Sequence, residues 1–391
     1  MEVKKNIKEV KKYFSNLSLK RLLINIHYME IGGAETSLIG LLHHLDSKEY
    51  KVDLLINDPR GEMIKYIPEW VNIIKAPKAY NYIERPIIET LRAGLLCMVY
   101  SRLKAKYKFS QYLKKKKAKD GNAIFGYIGK YVTPALPSLD YLEEYDVAIS
   151  YVTPHNIVLE KVLAKKKIAW IHTDYSKIDI NEDIELPVWE GYDKIVSISP
   201  DVTKSFLKIF PSLKDKIIEI ENFIPESLIK SRSEEFIPKD MPQKEGMINI
   251  LTIGRYCQAK RIDEIPVIAK ILKEKDRKFR WYIIGYGSKV EECKIKAAIK
   301  GNNVEEEVIL LGKRENPYPY IRACDMYVQP SRYEGKSITV REAQLLGKPV
   351  VITNYPTAQS QIENGRDGLI GPYQTEEFAN YLADFFQNNK Q

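Results

Sequence analysis

Cysteine is scarce in this chain. Cys97, Cys257, Cys293 and Cys324 are spread over 391 residues, and no two of them form a C-x-x-C pair. That spacing excludes a disulfide framework and a cysteine zinc site, and it points to free thiols in a reducing compartment. Long apolar runs are also missing. The longest in the first third, Ala93 to Tyr100, falls far short of the ~20 residues a membrane-spanning helix needs. Residues 1–20 are Lys-rich and carry no apolar core of the kind a signal peptide has. There is no repeat at solenoid periods and no long low-complexity tract. These absences predict a cytoplasmic protein, soluble or peripheral on the inner face of a membrane.

What is present is an ordinary globular balance, 44% hydrophobic and 29% charged, with a formal net charge of +9. At roughly 100–200 residues per domain the length suggests two or three domains, and the basic excess favours an anionic partner. Short β-rich runs alternate with amphipathic helical stretches. In the first half they are Leu22–His27, Lys51–Asn57, Val71–Ala76, Asp146–Val152, Ile168–His172, Lys194–Ser199 and Ile217–Glu221. In the second they are Ile248–Gly254, Arg280–Gly285, Val308–Gly312, Asp325–Gln329, Val350–Thr353 and Gly368–Ile370. Nearly all-apolar strands separated by helices argue for parallel sheets covered on both faces, and two such sets argue for two doubly wound α/β domains. The polar stretch 226–245 reads as a linker between a domain over 1–225 and one over 246–374. The segment 375–391 reads as a helix with Phe378, Leu382 and Phe385 on one face.

The region 91–119 is unusual. Leu91, Leu95, Val99, Leu103 and Tyr107 recur every four residues and predict one helical stripe. From Arg102 to Lys119 the sequence holds nine Lys or Arg and no acid. An apolar stripe beside a basic face suits an interfacial helix on anionic lipid. A core-packed helix followed by a solvated lysine loop fits the same pattern. The basic run lacks a recognisable nucleic-acid module, so no nucleic-acid partner is expected.

The strongest local signal runs from Ser331 to Ala343. Gly335, Lys336, Ser337 and Ile338 lead from a strand into a helix N-terminus, where N–H groups and the helix dipole favour an anion. Glu334 enters that loop. Glu342 shares a helical face with Ile338 and Leu346, and a carboxylate on an apolar stripe needs a donor partner when buried; a ribose diol is such a partner. Gly254-Arg255 and Lys260 follow another strand, placing two cations at a helix start, where the dipole disfavours them unless an anion sits between. Gly32-Gly33-Ala34-Glu35 makes a tight turn after the first strand, and glycine there permits a close backbone approach. His172 ends the strand Ile168–His172.

These segments resemble, in order and spacing from Leu22 to about Gly371, the family-4 retaining glycosyltransferases with their E-x7-E motif. The resemblance implies a GT-B fold, two Rossmann-like domains facing a central cleft, with the final helix 375–391 packing back on the N-terminal domain. It implies that Glu334 contacts the donor sugar and Glu342 the ribose hydroxyls. Arg255 and Lys260 would meet the diphosphate, and Gly33 would approach the donor phosphates. Arg314, after Gly312-Lys313, would lie beside the base, and His172 near donor sugar and acceptor. Asn222 matches an asparagine read as structural. Lys336-Ser337-Ile338 stands where the family usually has a second glycine, Arg261 replaces another glycine, and Tyr286 in Gly285-Tyr286-Gly287 replaces an acid.

The implied reaction moves a hexose or N-acetylhexosamine, from UDP-sugar first and GDP-mannose second, to a membrane-associated glycan or glycolipid. Asp-x-Asp, the metal-diphosphate motif of the other large glycosyltransferase fold, occurs nowhere. Transfer is therefore expected to need neither metal nor other cofactor, and the resemblance implies retention of anomeric configuration. Two readings compete: a non-hydrolysing nucleotide-sugar epimerase of the same architecture, and a non-catalytic scaffold.

Overall fold

The computed structural model describes residues 20–116 and 122–388. Lys117–Lys119 of the basic run, the Lys-rich residues 1–19 and the last residues, 389–391, lie outside them. The chain divides into two compact units, Met1–Phe223 and Ile224–Gln391.

The first unit is built on seven strands: β1 (Lys20–Ile26), β2 (Tyr50–Ile56), β3 (Asn72–Lys75), β4 (Tyr145–Ser150), β5 (Ala164–Ile171), β6 (Lys194–Ser197) and β7 (Ile217–Glu219). They pair in the order β3-β2-β1-β4-β5-β6-β7, every pairing parallel. Leu22 of β1 sits between Val52 and Val147. Leu23 and Ile24 are fully buried, as a strand covered on both faces requires. The chain runs outward from β1 to β3 and then returns to add β4 beside β1, so the topological switch lies between β1 and β4.

The second unit repeats this plan with six strands: β8 (Ile248–Ile253), β9 (Phe279–Ile284), β10 (Val308–Gly312), β11 (Met326–Gln329), β12 (Val350–Thr353) and β13 (Leu369–Gly371). The order is β10-β9-β8-β11-β12-β13, again all parallel, with the switch between β8 and β11. A buried polar tie crosses this centre: the Trp281 indole donates to Thr252 Oγ1 at 2.9 Å, and Thr252 donates to the Val328 carbonyl at 2.6 Å.

All thirteen expected strands are present, with ends moved by a few residues. Three other expectations are corrected. The final helix, Thr375–Asn388, buries Phe378, Leu382 and Phe386 in the core of the second unit with Ile268, Ala269 and Leu272 of the helix Ile265–Glu274. Its apolar face therefore belongs to the second unit and not to the first. The segment 226–245 is not a linker. It carries the helix Glu226–Arg232, and Ile229 and Met241 are buried in the second unit's core. The expected single stripe from Leu91 is interrupted. Gly94 takes a left-handed φ of 78°, open to glycine at no steric cost, and separates the helix Ile87–Arg92 from the helix Leu96–Lys116. The longer helix buries only Met98 and Ala105 and leaves Leu96, Tyr100, Leu103 and Tyr107 exposed. Among the described residues no helix is long and apolar enough to cross a membrane.

Candidate functional site

In the second unit the chemistry-bearing residues gather beyond the C-terminal ends of β8 and β11, the switch point where doubly wound sheets bind ligands. After β8 the chain passes Gly254 and Arg255 into a short turn, Gln258–Lys260, and then through Arg261 at φ 55°. That left-handed position is where a glycine would be at ease. Arg261 holds it because its guanidinium is tied down, to Glu264 at 2.7 Å, the Tyr373 carbonyl at 2.5 Å and Thr375 Oγ1 at 2.5 Å.

The loop after β11 is pinned against this turn. The Arg332 amide donates to the Ala259 carbonyl at 2.8 Å, and its guanidinium pairs with Asp263 at 3.0 Å and with Glu264. The result is one contact of note: Lys260 Nζ meets Glu334 Oε1 at 2.6 Å, with side chains only 20% and 10% exposed. Ser331 Oγ donates to the same oxygen at 2.6 Å. Thr357 Oγ1 fixes the Glu334 carbonyl at 2.9 Å. Arg255 is exposed and has no ion-pair partner among the described residues.

The helix Ile338–Leu345 begins after Ser337, whose side chain makes no cap hydrogen bond, so first-turn N–H groups remain without intrahelical acceptors. Ser337 differs from expectation in one respect: its own N–H donates to Gln361 Oε1 at 2.6 Å, so an incoming anion would have to displace an amide to use it. The Gln361 Nε2 is buried with no partner. Glu342 is 3% exposed. The Tyr318 hydroxyl donates to it at 3.0 Å, while burial pushes its carboxyl up to about 7 against the pull of that hydrogen bond and of the Arg232 charge. A single phenol donor leaves most of its accepting capacity unused. Arg314 is committed elsewhere: its guanidinium meets Asp240 at 2.6 Å and Tyr320 Oη at 3.0 Å. Gly285 permits the adjacent turns to touch, since a Cβ there would lie 1.9 Å from the Gly254 carbonyl oxygen.

In the first unit Gly32 and Gly33 open the helix Gly33–His44 at the C-terminal end of β1. Ser37 of that helix donates to Asn222 Oδ1 at 3.0 Å and meets Tyr151 Oη at 2.8 Å, a structural tie for Asn222. His172 lies just past β5, its ring 4.8 Å from that of Tyr151. It hydrogen-bonds the Tyr151 backbone, and burial lowers its pKa to about 4, so it is neutral near pH 7. Its Nε2 is buried without a partner. Reading the sequence missed His155 and Glu185, which line the same cavity as His172. His155 had a usable signal, since it follows β4 at the switch point. Glu185 had none, being one acid among several on a polar helix.

The two doubly wound units are Rossmann-like α/β domains of the GT-B class. Residues 233–391 match the family model for glycosyl transferases group 1. Among curated proteins the chain is similar to a Staphylococcus aureus poly(ribitol-phosphate) alpha-N-acetylglucosaminyltransferase, 29% identical over 35% of this chain and 28% of that one. It is also similar to a Bacillus anthracis N-acetyl-alpha-D-glucosaminyl L-malate synthase, 24% identical over 57% and 60%. The chain thus spans less than two thirds of the length of either relative. Among solved structures it resembles Anabaena HepE in complex with UDP-glucose, with TM-score 0.65, 14% identity and coverage of 95% and 91%. It likewise resembles S. aureus TarM in complex with Fondaparinux, alpha-GlcNAc-glycerol and UDP, with TM-score 0.63, 14% identity and coverage of 95% and 93%.

Proposed function

We propose that this chain is a retaining glycosyltransferase of the E-x7-E type, using a nucleotide diphosphate sugar as donor and needing no metal. The observation that carries the reading is the Lys260–Glu334 contact at the β8/β11 switch, with the buried and under-partnered Glu342 on the helix that follows. Relatives that act with N-acetylglucosamine and a neighbour that holds UDP-glucose support a UDP-hexose or UDP-N-acetylhexosamine donor.

On this reading Lys260 and Arg255 meet the diphosphate together with the first turn of the helix Ile338–Leu345. Gly335, Lys336, Ser337 and Ile338 supply backbone to the same phosphates. Charge building on the departing β-phosphate is then met by fixed donors, the largest single contribution such a site makes. Glu334, oriented by Ser331 and Lys260, accepts from sugar hydroxyls, and Glu342 accepts from the ribose diol. The acceptor hydroxyl attacks the face the nucleotide leaves, and a β-phosphate oxygen takes its proton, so no side chain is a covalent nucleophile. His172, neutral, orients the acceptor. Arg314 contributes backbone beside the base, since its guanidinium is held by Asp240.

The experiment is a screen of nucleotide sugars for thermal stabilisation, followed by transfer assays, because a ligand that binds only the native state raises apparent stability by mass action. UDP-sugars are expected to stabilise, and Arg255→Ala to lower kcat/KM about tenfold through loss of one charge-assisted contact. No stabilisation by any nucleotide would overturn the reading, and an epimer formed from donor alone would replace it.

The acceptor is proposed to be a glycan or glycolipid presented at an anionic membrane. Exposed Leu96, Tyr100, Leu103 and Tyr107 share the helix Leu96–Lys116 with Lys114, Lys115 and Lys116 in its last turn, a composition that suits the lipid interface. At about 1 kcal/mol per lysine near such a surface, Lys115→Ala/Lys116→Ala should weaken co-sedimentation with phosphatidylglycerol vesicles by about thirtyfold. Unchanged binding would remove this segment as the anchor.

A further inference from the structure

A buried arginine stands behind Glu342. Arg232 closes the helix Glu226–Arg232 and is only 2% exposed. A guanidinium is seldom withdrawn from water so completely, because desolvating its charge is costly unless the surroundings answer it. The Glu235 carboxylate is 3.9 Å away and half exposed, so it answers that charge weakly. Two other contacts carry the guanidinium toward the β8/β11 switch. Its Nη2 donates to the Glu315 carbonyl at 3.0 Å. Its Cζ stands 5.1 Å from the centre of the Tyr318 ring, within the range of a cation–π contact. The hydroxyl of that same ring donates to Glu342 at 3.0 Å.

The loop after β10 is fastened to the same arginine. Asn316 Nδ2 donates to the Arg232 carbonyl at 2.8 Å and to Glu235 at 2.7 Å. Asn316 Oδ1 accepts from the Tyr318 N–H at 3.2 Å. Arg232 therefore holds Tyr318 twice, through its backbone by way of Asn316 and through its charge on the ring. A cation beside a phenol draws electron density from the ring, and polarisation of this kind strengthens the O–H as a donor. A stronger donor favours the ionised form of the carboxyl it serves. The Arg232 charge also pulls the Glu342 carboxyl down, against the effect of burial. Tyr327 of β11 interacts with the charges of both Glu342 and Glu334, and burial keeps it a neutral phenol.

We propose that Arg232 is a positioning residue of the ribose seat, fixing Tyr318 as the donor that readies Glu342 to accept the nucleotide's hydroxyls. The ribose assignment rests on the transfer reading; the coupling of Arg232 to Glu342 through Tyr318 does not.

The test uses the full chain, with UDP as the probe. Without ligand, stability from Glu342 is lost as pH rises, and the loss levels off at its folded-state pKa, about 7. That levelling pH is read from urea unfolding of each background with and without Glu342→Gln. Arg232→Met, which fills a similar volume without charge, should move it up by about one unit. Arg232→Lys, which keeps a cation, should stay within about half a unit of the parent. Tyr318→Phe should also move it up, and Arg232→Met/Tyr318→Phe by less than the sum of the separate shifts. A one-unit rise cuts the ionised fraction at pH 7 from about one half to about one tenth. The deficit in UDP affinity of Arg232→Met relative to the parent should therefore be about fivefold larger at pH 7 than at pH 9. An unmoved levelling pH in Arg232→Met, a shift as large in Arg232→Lys, or fully additive shifts would overturn the proposal, and so would a UDP deficit equal at the two pH values. No stabilisation of the parent by UDP, with the pH shifts intact, removes the transfer reading alone and leaves the coupling standing.

Discussion

Lys260→Ala is expected to lower kcat/KM by about 10²–10³-fold, the range seen when a fixed donor to developing charge is deleted. Its ε-ammonium sits 2.6 Å from Glu334 in a pair that is mostly shielded from water, where a cation exerts more force on a phosphate than it would in bulk solvent. The same change leaves Glu334 with Ser331 as its remaining side-chain donor, so a stability loss of about 1–3 kcal/mol should accompany it. The two effects are separable. In Lys260→Ala/Glu334→Gln the stranded charge is gone, and unfolding by urea should return close to the parent midpoint while turnover stays low. Parent-like turnover in the single variant would mean that Lys260 does no more than hold the loop after β11 in place.

How far the sequence foretold this site depends on the distance between its parts. The strands were legible because each is a short apolar run bounded by turn residues, and parallel sheets buried on both faces give no competing pattern. Glu334 and Glu342 were legible for the same local reason, lying on one loop and the helix it enters. The contact of Glu334 with Lys260 was not legible, since nothing in the sequence forces residues 74 positions apart together. The final helix shows the limit most clearly. Its stripe of Phe378 and Leu382 announces that a face is buried, but periodicity does not say against what; the partners Ile268, Ala269 and Leu272 lie more than a hundred residues earlier. The broken helix near Leu91 was missed because a four-residue repeat was followed straight through Gly94, where the backbone turns left-handed. The His155–Trp170–Glu185 cavity draws on strand ends and helices scattered from 122 to 189, and no window of sequence holds enough of it to be seen. Arg261 is the opposite case. The residue type argued against the loop, and three hydrogen bonds to its guanidinium made the left-handed turn affordable.

Glu342 gives the second large effect, in the pH dependence of stability. Its carboxyl is displaced upward from 4.5 to about 7 by burial, so the unliganded native state keeps a proton that the unfolded chain releases. Stability from this group is complete below pH 4.5 and is lost as pH rises through 7, an expected loss of about 3 kcal/mol between pH 4 and 8. Glu342→Gln cannot ionise and should not show it. The buried histidines act in the other direction: His27, His155 and His172 all have lowered pKa values and destabilise the fold as pH falls below 6.5. The difference between parent and Glu342→Gln across the range therefore isolates the carboxyl. A nucleotide whose ribose hydroxyls donate to Glu342 favours its charged form, so binding should expel a proton and donor affinity should rise as pH increases from 6 to 8. Calorimetry in buffers of different ionisation enthalpy measures that proton directly. Proton release in the parent and none in Glu342→Gln is the expected pair of results. Proton uptake, or equal release in both, would show that the ribose lies elsewhere and that the buried carboxyl serves only the packing beneath Tyr318.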